Sequence, residues 1–486
     1  MDIFCCLLPM PDAAPAIFLG LCLAFLFLFY KFFSSKQDVR ARNLPQGSVG
    51  WPLLGETLAF LSPHRSNSLG IFLQDHCSRY GKVFKSHLFG SPTIVSCDHE
   101  LNAFVLQNEE RLFGASYPKP MLGILGKYSL LVVSGDLHKK LRSVAVNFVT
   151  ASKSTSEFHL CVERLSVSML ESWKGRDQVA FCKEAKMFAL SLMVKTLLSI
   201  EPEDPRARKI LADFLTYMKG FVSLPLYIPG TPYAMAVKAR ARLSSTVREI
   251  IEERRRSSSS SNVVGLRKGD FMDVILGKEG LNEEEMVSIV LDILLGGYET
   301  TATLMALIVF FLAHEPASLL QLREEHQAIR RKKGRGEPLN AEDYKQMEYT
   351  DDVICEALRC GNVVKFVHRR ALQDIEFKGL TIPSGWKVFP VFIGTHLDPN
   401  LHENPMKFDP SRWKDKAMNK KVMPFGGGLR LCPGAELARL IIAFFLHHLV
   451  LSFRWKTKPD DFPVAYPYVE FKRDLVLEIE PTETHS

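Results

Sequence analysis

Pro424-Phe-Gly-Gly-Gly-Leu-Arg-Leu-Cys-Pro-Gly434 is the stretch on which the reading of this chain turns. Three consecutive glycines let the backbone approach a large planar ligand closely, because no Cβ stands in the way. Cys432 sits in a glycine-rich turn just ahead of an apolar helical run, Ala435 to Leu449. At a helix N-terminus the dipole and the free N–H groups are expected to lower the thiol pKa, and those N–H groups also temper the sulfur's donor strength. Arg430 is placed to meet an anion such as a haem propionate. One cysteine cannot build a tetrahedral zinc site, but it can be the single axial ligand of a haem. Thiolate donation there pushes electron density onto the iron and favours O–O cleavage.

Upstream, a long helix is expected from Asn282, with Glu285 three residues later completing a capping box. It runs to about His314, roughly 48 Å at the helical rise. Apolar residues go nearly all the way round it, which marks a helix buried through the middle of a domain. Within it stands Gly296-Gly-Tyr-Glu-Thr-Thr301. Two interior glycines cost about 1 kcal/mol each relative to alanine, and a carboxylate and two hydroxyls follow them. A groove for a small ligand and a proton path, with Glu299 and Thr300 as its working residues, would justify that cost; the plainer alternative is a glycine-packed helix crossing. The glycine pair is expected to loosen the helical ladder and admit a water. Glu356-Ala-Leu-Arg359 places an acid and a base on one helix face, where they can pair.

The 486 residues are 47% hydrophobic and 24% charged, a globular composition with an ample core. That length allows two domains or one large one. The net charge of +7 is a mild basic excess, compatible with an acidic partner or an anionic membrane surface, and no arginine-rich arm points to nucleic acid. The ten cysteines form no CxxC pair and do not read as a disulfide framework. Ala13 to Tyr30 is apolar, long enough with its upstream extension to approach the roughly 20 residues of a membrane span. Lys31, Lys36, Arg40 and Arg42 follow it, which puts the bulk of the protein in the cytosol. Positive charge before the run and a small-residue cleavage site after it, the marks of a secretory signal, are both absent. Pro45, Pro52, Gly47, Gly50 and Gly55 then suggest a stiff hinge. The expected organisation is an anchor over residues 1–33, a proline/glycine linker over 34–55, and one catalytic domain over 56–486.

The body reads mainly α with small peripheral β-sheets. Helices are expected over Gln74–Tyr80, Glu184–Ser199, Pro205–Gly220 and Thr231–Arg256, and a mobile charged loop over Arg254–Ser261. Strands are expected over Val83–Phe89, Thr93–Cys97, Ile375–Phe377, Lys387–Phe392 and Leu475–Glu480.

The cysteine loop, the glycine-acid-threonine run, the Glu-x-x-Arg pair and Phe408-Asp-Pro-Ser-Arg-Trp413, taken together, resemble the cytochrome P450 family over roughly residues 45 to 480. The resemblance implies the P450 fold behind a single N-terminal transmembrane helix, and a haem b ligated by Cys432. It implies a buried ion network of Glu356, Arg359 and Arg412. His138 and Arg142 in His138-Lys-Lys-Leu-Arg142, with His368 and Arg430, are implied partners of the haem propionates; histidine stands at 138 where the family often has tryptophan.

Trp51-Pro-Leu-Leu-Gly-Glu-Thr57, Gly361-Asn-Val-Val-Lys-Phe-Val-His-Arg369 and Ala443-Phe-Phe-Leu-His-His-Leu449 resemble the plant branch that oxidises steroids and other isoprenoids. Phe84-Lys-Ser-His-Leu-Phe89, Pro225-Leu-Tyr-Ile-Pro-Gly-Thr-Pro-Tyr233 and Tyr466-Pro-Tyr-Val-Glu-Phe471 are similar to brassinosteroid side-chain hydroxylases, which implies sterol hydroxylation at carbon 22. Leu429 departs from the proline often found there in that group. Phe221, Val222, Leu224 and Leu226 are candidates for an apolar lid at the membrane face. No dinucleotide or flavin fingerprint is present, so electrons must come from another protein, implied to be NADPH–cytochrome P450 reductase at the endoplasmic reticulum membrane. Lys139, Lys140, Lys414, Lys416, Lys420, Lys421 and Arg439 are candidates to guide it. Two further readings stay open: a monooxygenase of another isoprenoid such as a gibberellin-type diterpenoid, and a haem-thiolate isomerase or lyase that needs no oxygen. Glu299 and Thr300 argue against the second, and equally against a non-catalytic haem carrier.

Overall fold

The computed structural model describes residues 43–51, 55–223, 225–260, 270–334, 336–466 and 468–482, together with Gly20, Leu23, Ala24 and Phe27. The expected anchor and most of the linker, including Pro52, otherwise lie outside the described residues.

A 32-residue helix, Glu283–His314, forms the axis of the molecule. The capping box at its start is complete: Glu285 N–H donates to Asn282 Oδ1 at 2.9 Å, and Asn282 N–H donates to Glu285 Oε2 at 3.1 Å. Leu304, Met305, Ala306 and Leu307, four successive residues that point to four sides of it, are all buried. Phe181–Leu198, Pro232–Ser260, Glu348–Gly361 and Ala435–Ser452 pack around it. Both Glu283–His314 and Ala435–Ser452 are long and apolar enough to cross a membrane, and both are instead core helices of the body.

The sheets are small and peripheral, as expected. The largest runs Val83–Leu88, Ser91–Ser96, Lys387–Pro390, Arg369–Ala371, Phe113–Ala115, with one parallel pairing between Ser91–Ser96 and Lys387–Pro390. Leu88 pairs with Ser91, so Phe89-Gly90 is a two-residue hairpin loop with both φ positive, at 50° and 71°. That loop geometry matches the twist of the flanking strands. Phe453–Thr457, Val476–Pro481 and Gln178–Ala180 form another sheet. His64–Arg65, Pro463–Tyr466 and Tyr468–Phe471 form a third.

One expectation is overturned. The charged, serine-rich segment from Arg254 does not leave the fold as a loop; the helix from Pro232 continues to Ser260. Tertiary pairing outweighs composition here. The Arg254 guanidinium reaches Asp270 at 2.5 Å and Asp273 at 3.3 Å, where Asp270 caps the short helix Phe271–Leu276.

Candidate active site

The loop before Ala435–Ser452 is shaped by two of its three glycines. Gly426 and Gly428 have φ of 74° and 63°, a region L side chains rarely adopt. A Cβ on Gly428 would also fall 1.9 Å from the carbonyl oxygen of Leu106, on the helix His99–Gln107 beneath the loop. Gly426 and Gly434 face open space within 4 Å. The loop closes on itself where Cys432 N–H donates to the Phe425 carbonyl at 3.0 Å. The Cys432 sulfur accepts from the backbone N–H groups of Gly434 and Ala435, and Arg142 adds a favourable charge. These act in the expected direction, but the depth of the sulfur in the molecule acts against them more strongly and the thiol pKa lies above its ordinary value, although the residue itself is exposed to the open space beside the loop. The expected net lowering is therefore corrected: in the protein alone, helix-end donors do not outweigh desolvation.

Around that sulfur the structure collects positive charge. Arg142 lies within electrostatic reach of Cys432 and Arg430, and His138 within reach of Arg430, Arg142 and Arg369. Burial first, then Arg430, pushes the His138 pKa down to about 4, so the ring is neutral at pH 7 and keeps one N–H to donate. His138 Nδ1 stands 3.8 Å from Glu110. Arg430 is more engaged than its sequence suggests. Its Nε donates to Glu109 at 2.7 Å, Nη1 to the carbonyl of Leu130 at 2.9 Å and of Leu131 at 3.3 Å, and Nη2 to the carbonyl of Val133. Glu109, 3% exposed, takes Arg369 on its other oxygen at 2.9 Å. His368, next to Arg369, packs among Phe89, Phe366, Phe389 and Tyr117 and borders a cavity of about 370 Å³. Burial holds its pKa down to about 3.

The central helix stays α-helical through Gly296 and Gly297, so the glycine pair does not loosen it as expected. The two glycines have separate uses. A Cβ on Gly297 would meet Met193 Sδ at 2.4 Å, so this glycine permits close packing on Phe181–Leu198. Gly296 has nothing within 4 Å of a Cβ and opens a groove. Thr300, exposed, lies one turn on, its hydroxyl donating to the Gly296 carbonyl at 2.6 Å; Thr301 is 4% exposed and in the core. Glu299 pairs with Lys186 at 3.0 Å. One turn before Gly296, Asp292 accepts from Ser129 Oγ at 2.8 Å and Leu130 N–H at 2.6 Å. Burial pushes its pKa up to about 7 against those two bonds.

Glu356, on the helix Glu348–Gly361, is fully buried and collects five N–H donors. They are Arg359 Nε at 2.9 Å and Nη2 at 2.7 Å, Arg412 Nε at 2.9 Å, Trp413 Nε1 at 3.0 Å and Asp409 N–H at 2.9 Å. Arg359 also donates to the carbonyls of His396, Pro405 and Lys407. Burial raises the Glu356 pKa, but these donors outweigh it and the net value is below the ordinary carboxylate range.

The family model for cytochrome P450 matches residues 45–482. The chain belongs to the cytochrome P450 family. Cytochrome P450 724B1 of Oryza sativa subsp. japonica is 58% identical to it over 446 residues, covering 90% of this chain and 92% of that one. Cholesterol 22-monohydroxylase CYP90B52 of Paris polyphylla is 44% identical over 448 residues, covering 91% and 94%. Among solved structures, retinoic acid-bound cyanobacterial CYP120A1 superposes with a TM-score of 0.80 at 26% identity, covering 91% of this chain and all of that one. Membership in this monooxygenase family implies a haem with a cysteine thiolate ligand, and the residues here fit it. Among the described residues no group of three or more His, Cys, Asp or Glu side chains could hold a bare metal ion. A single sulfur with two backbone donors, glycines open on one side and a cluster of cations beside it suit a planar, carboxylate-bearing, iron-centred group instead.

Two of the cations expected to face a P450 reductase are committed elsewhere. Lys140 pairs with Glu285 at 2.7 Å and Arg439 with Asp351 at 3.1 Å. Lys139 holds only an exposed pair with Asp136. Lys414, Lys416, Lys420 and Lys421 make no ion pair within 4 Å among the described residues. Of the lid candidates, Phe221 packs edge-on to Tyr217 and Leu226 is 49% exposed, with Tyr227 and Ile228 more so; Leu224 lies outside the described residues. Glu109, Glu110 and Asp292 do not stand out in the sequence. Such acids carry no local signal; only the segment each meets in space reveals its use.

Proposed function

We propose that this P450 hydroxylates the side chain of a sterol at carbon 22, as a step of brassinosteroid biosynthesis. The observation that carries the reading is the near full-length match to a protein named cholesterol 22-monohydroxylase. The exposed apolar run Leu226, Tyr227, Ile228 suits a substrate that arrives from lipid. So does an uncleaved anchor in the endoplasmic reticulum membrane, with a hinge and a cytosolic domain as the sequence suggests.

Cys432 is the residue to ligate the iron of a haem b, and His138, Arg142 and His368 are the donors for its propionates, with Arg430, whose guanidinium is held by Glu109 and the carbonyls of Leu130, Leu131 and Val133, adding positive charge beside them. A haem b bound there supplies activation of molecular oxygen and insertion of one oxygen atom into a carbon–hydrogen bond. The chain's own residues supply the rest. Thr300 spends its proton on the Gly296 carbonyl, which leaves its oxygen lone pairs free to accept from a water in the groove. Glu299, half-buried and paired to Lys186, connects that water to solvent. Electrons come from NADPH–cytochrome P450 reductase, guided by Lys414, Lys416, Lys420 and Lys421, which form no ion pair among the described residues.

Product analysis tests the reading. Membranes carrying this protein and a reductase, given a panel of sterols and diterpenoids with NADPH, should yield 22-hydroxysterols. A hydroxylated diterpenoid with no sterol product would replace the substrate class, and any product formed without oxygen would replace the chemistry. Cys432→Ala should lose the red-shifted absorption band of the reduced, carbon-monoxide-treated protein; a variant that keeps the band has its ligand elsewhere.

A further inference from the structure

Asp292 is the one acid of the central helix that the proposed chemistry leaves unused although it shares the working face. Residues 292, 296 and 300 are spaced by four, so they lie on one side of the helix within about 80° of one another. Gly296 opens to the groove and Thr300 is exposed in it. Asp292 is set deep in the molecule, yet part of its surface is accessible. Its carboxylate is held by two donors on one neighbouring segment, Ser129 Oγ and Leu130 N–H. Two oxygens offer about four lone-pair sites, so acceptor capacity remains. Tyr217 and Arg240 lie within electrostatic reach of Asp292. Arg240 donates to the Leu125 carbonyl at 3.1 Å, while the Tyr217 hydroxyl has no hydrogen-bond partner among the described residues.

A carboxylate is an expensive way to cap one backbone N–H and one serine, since an asparagine would do both without a buried charge. The remaining acceptor sites and the idle tyrosine hydroxyl suit a donor that arrives with the substrate. Eight residues of helix separate Asp292 from Thr300, about 12 Å along the axis. That is close to the separation between the ring hydroxyl of a sterol and the first carbons of its side chain. We propose that Asp292 accepts a hydrogen bond from the sterol's 3β-hydroxyl, with Tyr217 beside it, and so sets which side-chain carbon reaches the oxygen groove. The assignment rests on the sterol reading and makes Asp292 a specificity-determining residue of that site.

The test compares cholesterol with cholest-5-ene, which lacks only the hydroxyl, by the optical shift of the haem on binding to the full-length holoenzyme. Wild type should bind cholesterol about 10–100-fold more tightly than cholest-5-ene, because a buried acceptor left unpaired penalises the deoxy ligand. Asp292→Ala should bring that ratio close to one, and Ser129→Ala, which removes a clamp donor but keeps the carboxylate, should preserve it. Wild type binding both ligands alike overturns the assignment whatever the variants do. So does Asp292→Ala weakening both ligands equally, the pattern of a residue that merely clamps the Ser129–Leu130 segment. Should Asp292→Ala fail to fold, Asp292→Asn, which can still cap Leu130 N–H, must lower the ratio several-fold. An optical response to neither ligand removes the sterol reading and this assignment together, whereas a response without discrimination removes only Asp292.

Discussion

Glu356→Gln is expected to cost about 3–5 kcal/mol of stability, the range for breaking a buried ion pair by removing one partner's charge. The geometry sets where in that range it falls. Arg359 is fully buried and would keep its charge with only carbonyl acceptors, whereas Arg412 is 12% exposed and can recruit water. The larger part of the cost therefore comes from Arg359. The new amide N–H₂ would also face donors, Trp413 Nε1 among them, at 3.0 Å in the native protein. Against a typical total of about 5–15 kcal/mol the loss is a large fraction. Replacing the pair by apolar groups should not rescue it. In Glu356→Leu with Arg359→Met, the carbonyls of His396 and Pro405 lose their Arg359 donor, at 2.9 and 2.7 Å, and each orphaned polar group costs about 1–3 kcal/mol. The assay is urea unfolding of the holoprotein followed by tryptophan fluorescence and by the haem band, with midpoints compared between variants. A Glu356→Gln midpoint shift worth under about 1 kcal/mol, or full recovery in the double variant, would refute the reasoning.

Stability should fall with acid through the buried histidines of the helices Pro316–Arg331 and Ala435–Ser452. His447 and His326 face each other at 3.2 Å, and burial holds their pKa values at about 2 and about 3. Both stay neutral when folded and protonate when unfolded, so stability is complete above about pH 6.5 and declines below it by up to about 1.4 kcal/mol per pH unit for each ring. His447→Phe should show a shallower decline between about pH 6.5 and 5 than wild type; parallel curves would count against the pair. Thr300→Ala should keep haem and sterol binding yet lose about 10²–10⁴-fold in product formed per NADPH, with hydrogen peroxide accumulating, while Thr301→Ala changes the yield far less. An unchanged yield in Thr300→Ala refutes the proton path. Replacing Lys416, Lys420 and Lys421 with alanine should raise the reductase concentration needed for half-maximal turnover several-fold at low salt and little at high salt. Lys140→Ala should leave that concentration unchanged and lower the melting temperature instead; the reverse pattern would move the docking face.

What is legible in the sequence is what carries its own local signal. The cysteine loop, the Glu356–Arg359 pair and the capped central helix can all be read there, because turn glycines, i,i+3 pairing and an all-round apolar pattern are local properties. The glycine pair is half legible: the open groove at Gly296 and the packed crossing at Gly297 are both real, on adjacent residues. Arg254 reads as loop because its acids, Asp270 and Asp273, stand 16 and 19 positions away. Arg430 reads as free for an anionic ligand, whereas Glu109, 321 positions away, meets it in the fold. The net Cys432 pKa escapes a local reading for a related reason, since desolvation depends on everything packed around the sulfur rather than on the helix it precedes.

Segment 129–134 is tied to two elements at once. Asp292 of the central helix takes Ser129 and Leu130, and Arg430 of the cysteine loop takes the carbonyls of Leu130, Leu131 and Val133. Leu130 alone serves both, through its N–H and its carbonyl. This short strap couples substrate seating to the thiolate side like the two ends of a fixed rod. Its length cannot drift by one residue without unseating a guanidinium at one end or a carboxylate at the other.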